Sequence, residues 1–283
     1  MAREATVELY PFKAKVPAPI YWMYRGIRTV MYAITFSLFW TFCVLVGWLW
    51  LPIIGLWPGS RVDRMHRLLR SVGRGFGVFH FMLHLFRLFH RQSPVKRLRP
   101  GSTPVVLVAN HPTLVDVTAI VSLFPNTVAV ARSGFMGNPL LARVIRICGF
   151  VPATTHVMQE CERRLREGFD VLVFPEGTRS PVGGPLHPFH RGAFELAARA
   201  KVPLVLLKLT CTPPALSKRL PIWKAPDRMP VLTIEPIETI YPADSKSTSR
   251  EMCRAIEQRY QDLLGYPGAA VAASQPQPLG DVQ

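Results

Sequence analysis

His111 and Asp116 are the residues of this sequence whose types and spacing best suit proton transfer. They lie five positions apart in the stretch NHPTLVD, residues 110–116. A turn in this stretch can bring the Asp116 carboxylate to one imidazole nitrogen of His111 and leave the other nitrogen for a substrate. That arrangement suits a general base, because the carboxylate holds one tautomer of a group that titrates near neutrality. A histidine near an aspartate in a loop can also be purely structural, and the pair by itself leaves both interpretations open.

A second stretch, FPEGTRS at residues 174–180, has the residue types of an anion-binding loop. Gly177 lets the backbone approach a ligand closely, and the planar guanidinium of Arg179 matches the geometry of a phosphate. In the alternative interpretation, Glu176 and Arg179 pair with each other and brace the loop.

The elements around these stretches alternate between short apolar runs and helical patterns from residue 104 onward. This alternation predicts an α/β fold, a largely parallel sheet with flanking helices, preceded by an N-terminal membrane-associated helical segment. The predicted strands are Val105–Ala109, Thr127–Ala131, Val171–Phe174, Val202–Leu209 and Val231–Ile237. The predicted helices are Leu114–Leu123, Pro139–Ile147, Val157–Arg166, Ala193–Lys201 and Ser249–Leu264. The domains are therefore membrane-anchoring helices at 1–99, the α/β domain at 100–264 and a disordered tail, rich in Ala, Gly, Pro and Gln, at 265–283.

Positive charge and apolar residues crowd together in the N-terminal third. The formal net charge is +16, and residues 1–100 hold 15 Lys and Arg against 3 Asp and Glu. This mixture favours a surface for anionic membrane lipids, where each basic residue near a charged leaflet contributes about 1 kcal/mol. No nucleic-acid partner is predicted, because the charge comes without zinc-finger spacing, an aromatic RNA-binding signature or a soluble basic helix.

Residues 29–60 contain no charged residue. As one helix they would extend about 48 Å, beyond the roughly 30 Å hydrocarbon core of a bilayer. One tilted span with an interfacial end and a re-entrant hairpin both fit this length. Arginines flank the segment on both sides, which favours the hairpin, with both ends and the α/β domain on the cytoplasmic face of the membrane.

Residues 61–91 are predicted to form an amphipathic helix at the lipid headgroups, with His80, His84, Arg87 and Arg91 as its polar stripe. His80 and His84 lack a third ligand, so no metal site is predicted. The five cysteines are scattered and form no CxxC pair, which favours buried reduced thiols over disulfides or a zinc site.

The order and spacing of NHPTLVD, FPEGTRS and a third apolar run at 202–205 resemble the glycerolipid acyltransferase family, over roughly residues 100–240. The resemblance implies that His111 and Asp116 are a catalytic dyad. It implies acyl-CoA or acyl carrier protein as the thioester co-substrate, with no further cofactor. The implied acceptor is a lysophospholipid, above all 1-acyl-glycerol-3-phosphate, which becomes phosphatidic acid. Because the sequence has no Gly-x-Ser-x-Gly elbow, His111 is expected to activate the acceptor hydroxyl directly, without a covalent intermediate.

The resemblance also assigns the acceptor phosphate to the second stretch. The residues so implied are Glu176, Gly177, Thr178 and Arg179, with Arg191 in the segment FHRGAF, residues 189–194, as a second candidate contact. Glu176 can instead organise the loop without touching the anion.

One position departs from the family pattern. The family usually places an arginine six residues after a glycine that corresponds to Gly149, and Thr155 stands there instead. Arg132, where relatives often have a lysine, can compensate in part. Other hydroxylated lipid acceptors, a non-catalytic membrane adaptor and thioester hydrolysis therefore remain alternatives.

Overall fold

A seven-stranded sheet forms the centre of the α/β part of the chain in the computed structural model, which describes residues 12, 13, 15–94, 103–147, 149–241 and 248–266. The strands lie in the order β1-β7-β6-β2-β5-β3-β4. They are β1 His90–Gln92, β2 Val106–Ala109, β3 Thr127–Ala131, β4 Val151–Pro152, β5 Asp170–Val173, β6 Leu204–Thr212 and β7 Val231–Ile240. Five strands run parallel to one another, and β7 with its neighbour β1 runs opposite to them. The predicted α/β fold with a largely parallel sheet is confirmed.

Helices cover both faces of this sheet. They are α1 Ala18–Leu45, α2 Leu51–Leu56, α3 Arg61–Leu85, α4 Asp116–Leu123, α5 Pro139–Ile147, α6 Val157–Arg166, α7 Gly192–Ala200 and α8 Ser249–Leu263. The central strand β2 is buried along its whole length between β6 and β5. A strand covered on both faces needs apolar residues at consecutive positions, which explains the unbroken run VLVA. One core cluster joins the sheet to α4 and the N-terminal helices, and a second joins it to α6, α7 and α8.

The N-terminal apolar segment is a continuous helical run rather than a hairpin. The helix α1 passes through a π-helical turn, Val46–Trp50, directly into α2. Pro52 lies in the first turn of α2, directly after the π-helical turn. The chain reverses only at residues 57–60, before Ser60 and Asp63 cap the start of α3. The predicted hairpin within residues 29–60 is therefore wrong, because the expected helix breakers are accommodated inside the helix.

The run from Ala18 to Ile54 is long and apolar enough to cross a membrane, judged by its length and composition. Only 24% of its most apolar window is buried. Tyr32 and Phe36 pack against the rest of the protein, while large apolar side chains such as Trp22, Val30 and Leu38 are exposed.

The polar stripe predicted along residues 61–91 is wrong in two respects. The helix α3 ends at Leu85, and Arg91 lies in β1. His80 is buried, with Nε2 3.0 Å from Thr118 Oγ1 on α4, and burial lowers the pKa of its imidazole to about 3. The exposed side of α3 instead carries apolar Val78, Phe81 and Leu85. The histidine faces inward because a threonine hydroxyl satisfies one ring nitrogen there.

Two short strands escaped prediction. In β1 the residues His90, Arg91 and Gln92 pair with β7 and show no apolar pattern, and β4 has only two residues. Because β1 belongs to the sheet, the predicted division at residue 99/100 separates it from the strands it joins. The other predicted strands and helices are present, with ends that differ by a few residues. Nearly all of the predicted tail, and Cys148, lie outside the described residues.

Tyr260 fastens α8 to the centre of the sheet. Its buried hydroxyl lies 2.9 Å from both the Val108 carbonyl oxygen in β2 and the Leu207 carbonyl oxygen in β6. The contact ties the last helix to the strand that precedes His111.

Tyr260→Phe should lower the free energy of unfolding by about 1–3 kcal/mol, because two buried carbonyl groups lose a donor while the ring still fills its space. Denaturant unfolding of the detergent-solubilised chain, followed by circular dichroism, measures the change. Tyr241→Phe is the control, since the Tyr241 side chain is exposed. Equal losses in the two variants would contradict the assigned role of the Tyr260 hydroxyl.

Candidate active site

His111 and Asp116 meet at the turn between β2 and α4. The His111 Nδ1 lies 2.7 Å from Asp116 Oδ2. The Asp116 carboxylate is completely buried and also accepts the Thr113 backbone N–H at 2.7 Å and the Thr113 hydroxyl. An ionised carboxylate only accepts hydrogen bonds, so Nδ1 is the protonated ring nitrogen. The predicted contact is therefore present, and it holds the imidazole in one tautomer.

The His111 ring is oriented by a neighbour from the second motif. It stacks on Phe174 with the ring centres 4.2 Å apart, and its side chain is 18% exposed. The other ring nitrogen, Nε2, makes no hydrogen bond to any residue that the structure describes. It can therefore accept a proton from a bound hydroxyl group.

Asn110 sets the start of this turn, a role that the sequence analysis missed. Its side-chain amide donates to the Leu209 carbonyl oxygen and accepts the Leu209 backbone N–H, both at 2.8 Å. The buried amide thus continues the pairing of β2 with β6 for one residue beyond the strand. An asparagine directly after a buried strand was the available signal, because its side chain can imitate a peptide group.

Glu176 joins the two motifs from a buried position. Its Oε1 accepts the His111 backbone N–H at 3.2 Å and the Ser180 hydroxyl, and its Oε2 accepts the His187 backbone N–H at 3.1 Å. Burial raises the pKa of this carboxyl group despite the three donors. Both carboxylate oxygens face protein donors, so the contacts are those of a residue that organises the loop. Glu176 is therefore assigned no contact with an anion, contrary to the role that the resemblance implied.

Ser180 completes the junction, and it too was missed. Its hydroxyl accepts the His111 N–H at 2.9 Å, and its own N–H donates to the His111 carbonyl oxygen at 2.7 Å. The backbone of His111 is therefore held from both sides by the second motif.

Arg179 lies beyond this junction and is braced by a residue other than Glu176. Its Nη1 donates to the Leu216 carbonyl oxygen at 3.1 Å, and partial burial lowers the pKa of the guanidinium. No Glu176–Arg179 ion pair occurs among the described residues. One donor nitrogen is used in this contact, which leaves further N–H groups for an anion. Gly177, exposed with a φ of +64°, supplies the left-handed backbone that the turn requires, and Thr178 follows it.

The remaining predicted residues divide into two groups. Arg132 follows β3 and Thr155 follows β4, both exposed. Because β2, β5, β3 and β4 are adjacent and parallel, these residues share the carboxyl edge of the sheet with His111. Arg191 lies just before α7, largely exposed, and its Nε is 3.9 Å from Glu195 on that helix. No contact brings Arg191 to the dyad.

A cavity of about 220 Å³ adjoins the loop that carries His111, where β2 and β6 end. Its lining combines polar side chains with apolar ones. They include Asn110, Pro112, Ser180, Leu209, Cys211 and Ser217. Among the described residues no group of three or more His, Cys, Asp or Glu side chains could hold a metal ion. The His111–Asp116 contact beside the FPEGTRS loop supports proton transfer by the imidazole next to a loop that can bind an anion.

Residues 88–207 match the family model Acyltransferase. The chain is 31% identical over 125 residues to the chloroplastic 1-acyl-sn-glycerol-3-phosphate acyltransferase BAT2 of Brassica napus, which covers 42% of this chain and 36% of that protein. It is 24% identical over 203 residues to the chloroplastic 1-acyl-sn-glycerol-3-phosphate acyltransferase LPAT1 of Arabidopsis thaliana, covering 69% and 55% of the two chains. The human 1-acyl-sn-glycerol-3-phosphate acyltransferase beta is 30% identical over 162 residues, covering 52% and 58%. The chain thus spans between about a third and three fifths of the length of these relatives.

The fold also matches a solved structure. The crystal structure of the 1-acyl-sn-glycerophosphate acyltransferase PlsC from Thermotoga maritima superposes with a TM-score of 0.69. The match covers 89% of this chain and 100% of that chain at 19% sequence identity. It shows a shared fold.

Asp116→Ala should release the tautomer of His111, because the acceptor that holds hydrogen on Nδ1 is lost and hydrogen can move to Nε2. Asp116→Asn should keep the tautomer. Oδ2 accepts both the Thr113 N–H and the Nδ1–H, so an amide oxygen held at that place by the Thr113 N–H still faces Nδ1. Nitrogen-15 NMR of histidine-labelled protein distinguishes the two tautomers. The same spectrum from Thr118→Val, which removes a hydroxyl that contacts His80 on α3, should leave the His111 signals unchanged. A pure Nδ1–H tautomer persisting in Asp116→Ala would contradict the role assigned to the carboxylate.

Proposed function

We propose that this chain, a member of the acyltransferase family, transfers a fatty acyl group from a thioester to the free hydroxyl of 1-acyl-sn-glycerol-3-phosphate. The product would be phosphatidic acid. The observation that carries the proposal is the 2.7 Å contact between His111 and Asp116, which leaves Nε2 available beside a loop suited to an anion. The three named relatives, each a 1-acyl-sn-glycerol-3-phosphate acyltransferase, support this choice of acceptor.

His111 acts on the acceptor hydroxyl in this mechanism. Nε2 takes the hydroxyl proton while the oxygen attacks the thioester carbonyl carbon, and a tetrahedral intermediate forms. The C–S bond then breaks, the thiolate takes the proton back from the imidazolium, and an ester and a free thiol leave. No group of the protein becomes acylated.

Asp116 stabilises the charge that appears during this step. The imidazolium carries a full positive charge, and the buried carboxylate 2.7 Å away favours it electrostatically. The two bonds from Thr113 keep the carboxylate in place, so little reorganisation is needed when the proton moves.

The acceptor phosphate is assigned to Arg179 and the backbone at Gly177 and Thr178. Arg132 would approach the same headgroup from the end of β3, while Arg191 is the weakest candidate because it pairs with Glu195. With Thr155 at the end of β4, the phosphate has fewer cationic contacts than the family pattern supplies. Acceptors that carry other headgroups are the alternative, and an acceptor screen with product identification by mass spectrometry decides between them.

The reaction would take place at a membrane surface. The apolar run Ala18–Ile54 would insert in the bilayer, and the α/β domain would lie on its cytoplasmic face, where basic residues concentrate. The proposed acyl donor is acyl-CoA or acyl carrier protein, because both carry the acyl chain as the same kind of thioester. Anionic lipids and the lysophospholipid acceptor are the further partners.

His111→Ala should lower the rate of acyl transfer by at least about 10²-fold, the usual effect of losing a general base. Labelled product formed from an acyl thioester and 1-acyl-sn-glycerol-3-phosphate measures it, with membrane extraction and circular dichroism as checks on folding. The matched control is His84→Ala, an exposed histidine on α3. Retention of more than half the activity would remove His111 from the mechanism. No activity in either the parent or the control would favour a membrane adaptor.

Arg179→Ala should raise the KM for the acceptor about ten- to a hundred-fold and leave the KM for the donor nearly unchanged, because a charge-assisted contact is lost. Arg179→Lys should recover part of this, since an ammonium lacks the two-pronged geometry. Steady-state kinetics with each substrate varied in turn give the two constants. Arg166→Ala, an exposed arginine on α6, serves as the control. Equal changes in the two KM values would indicate that Arg179 only braces the loop through its contact with Leu216.

A further inference from the structure

The connection between β6 and β7, residues 213–230, is fastened to the first half of α1. Arg25 donates from Nη1 to the Ala225 carbonyl oxygen at 2.7 Å and from Nη2 to the Trp223 carbonyl oxygen at 2.8 Å. The Tyr24 hydroxyl donates to the Asp227 carbonyl oxygen at 2.8 Å. These contacts span about two hundred positions of sequence and fix the connection beside the apolar helix.

The two arginines that precede the apolar segment are thus engaged within the protein. Arg28 donates to the carbonyl oxygens of Pro226 and Arg87, and Arg25 Nη1 lies 3.7 Å from the buried Asp227 carboxylate. At this end of α1, positive charge for lipid headgroups must therefore come largely from other residues.

The outward side of the β6–β7 connection has the composition of a membrane–water interface. Trp223 is 63% exposed, and Asp227, the only acidic residue of the connection, is buried. Tryptophan and basic residues together are typical of the level of the lipid headgroups. The exposed basic side chains of the connection are Lys218, Arg219, Lys224 and Arg228.

Large apolar side chains are exposed on the same turns of α1 that hold the connection. Trp22, Met23 and Ile27 are more than half exposed, and they lie near Tyr24 and Arg25 along the helix. Exposed apolar side chains at this level of α1, beside a connection with a basic outward side, fit a bilayer better than an acidic protein.

The connection also reaches the candidate site. The carbonyl oxygen of the buried Leu216 accepts two hydrogen bonds. One comes from Arg179 Nη1 and the other from the Leu114 backbone N–H at 2.9 Å. Leu216 has a φ of 54°, which a leucine adopts only when its surroundings enforce it. The same connection therefore holds the arginine assigned to the acceptor and the loop that contains His111.

We propose that the outward side of the β6–β7 connection is a second contact with an anionic bilayer, separate from the N-terminal helices. Trp223 lies among the headgroups, and Lys218, Arg219 and Lys224 face lipid phosphates. The inference rests on the membrane attachment in the proposed function. The contact would do more than anchor the protein. Because the connection holds Arg179 through Leu216, a connection that lies on the bilayer would place Arg179 near a lipid acceptor.

Fluorine-19 NMR of the full chain, labelled with 5-fluorotryptophan and reconstituted in lipid nanodiscs, tests this contact. Trp223→Phe identifies the Trp223 signal. A lipid with a nitroxide on its headgroup should broaden that signal in discs of phosphatidylglycerol and phosphatidylcholine, and less in discs of phosphatidylcholine alone. The combined variant Lys218→Gln, Arg219→Gln, Lys224→Gln should reduce the broadening in anionic discs to the phosphatidylcholine level. Removing the same charge elsewhere, by Lys201→Gln, Arg250→Gln and Arg254→Gln, should leave it unchanged.

Each other outcome overturns the proposal in a recognisable way. If the signals of the N-terminal tryptophans broaden and the Trp223 signal does not, the second contact is absent while the membrane attachment stands. If no tryptophan signal broadens, the attachment itself fails. A Trp223 signal that shifts with an acidic acyl carrier protein and ignores the nitroxide lipid would assign the surface to a protein donor.

Discussion

The Glu176 carboxylate, buried where β2 and β5 end, is the interaction on which the arrangement of the site depends. It accepts hydrogen bonds from the His111 backbone, the Ser180 hydroxyl and the His187 backbone. A buried carboxylate is stable only when donors such as these contact it. Removing the Glu176 side chain would leave the two backbone N–H groups and the hydroxyl without this acceptor. These hydrogen bonds join the loop that follows β2 to the loop that follows β5. The position of the His111 backbone is thus set from the loop that follows β5.

The two buried carboxylates of this site, Asp116 and Glu176, have different roles because they contact different groups. Asp116 contacts the imidazole of His111 itself, so its charge acts on the ring that is proposed to take up a proton. Glu176 contacts backbone N–H groups and a hydroxyl, and burial raises its pKa. The first can influence the chemistry of the ring, whereas the second determines where the ring stands.

Several polar groups of the N-terminal region face inward, while many of its large apolar side chains are exposed. Arg25 and Arg28 bind backbone carbonyl groups, and His80 contacts Thr118 on α4. Exposed positions on α1 and α3 carry side chains such as Ile34 and Phe81. So many exposed apolar side chains are unusual for a helix on a water-soluble domain, and they agree with the proposed attachment to lipid. Arg25 and Arg28 would then connect the helix proposed to insert to the α/β domain.

The amino-acid sequence by itself determined the features that depend on near neighbours. Apolar runs and helical periodicity identify most strands and helices of the sheet, because those patterns record which side of an element is covered. The His111–Asp116 contact was predictable because the two partners lie only five positions apart in one turn. The order and spacing of the two motifs were enough to show a resemblance to the glycerolipid acyltransferase family.

Only the tertiary structure decided which distant groups meet. Glu176 and the backbone of His111 are 65 positions apart, and Arg179 finds a carbonyl group in a connection that carries no recognisable motif. The strand β1 has no apolar pattern and exists because β7 offers an unpaired edge. The inward turn of His80 likewise depends on Thr118, which lies 38 positions away. A periodic pattern shows that one side of an element is apolar, but lipid and protein cover such a side equally well, and only the folded chain shows where its polar groups find partners.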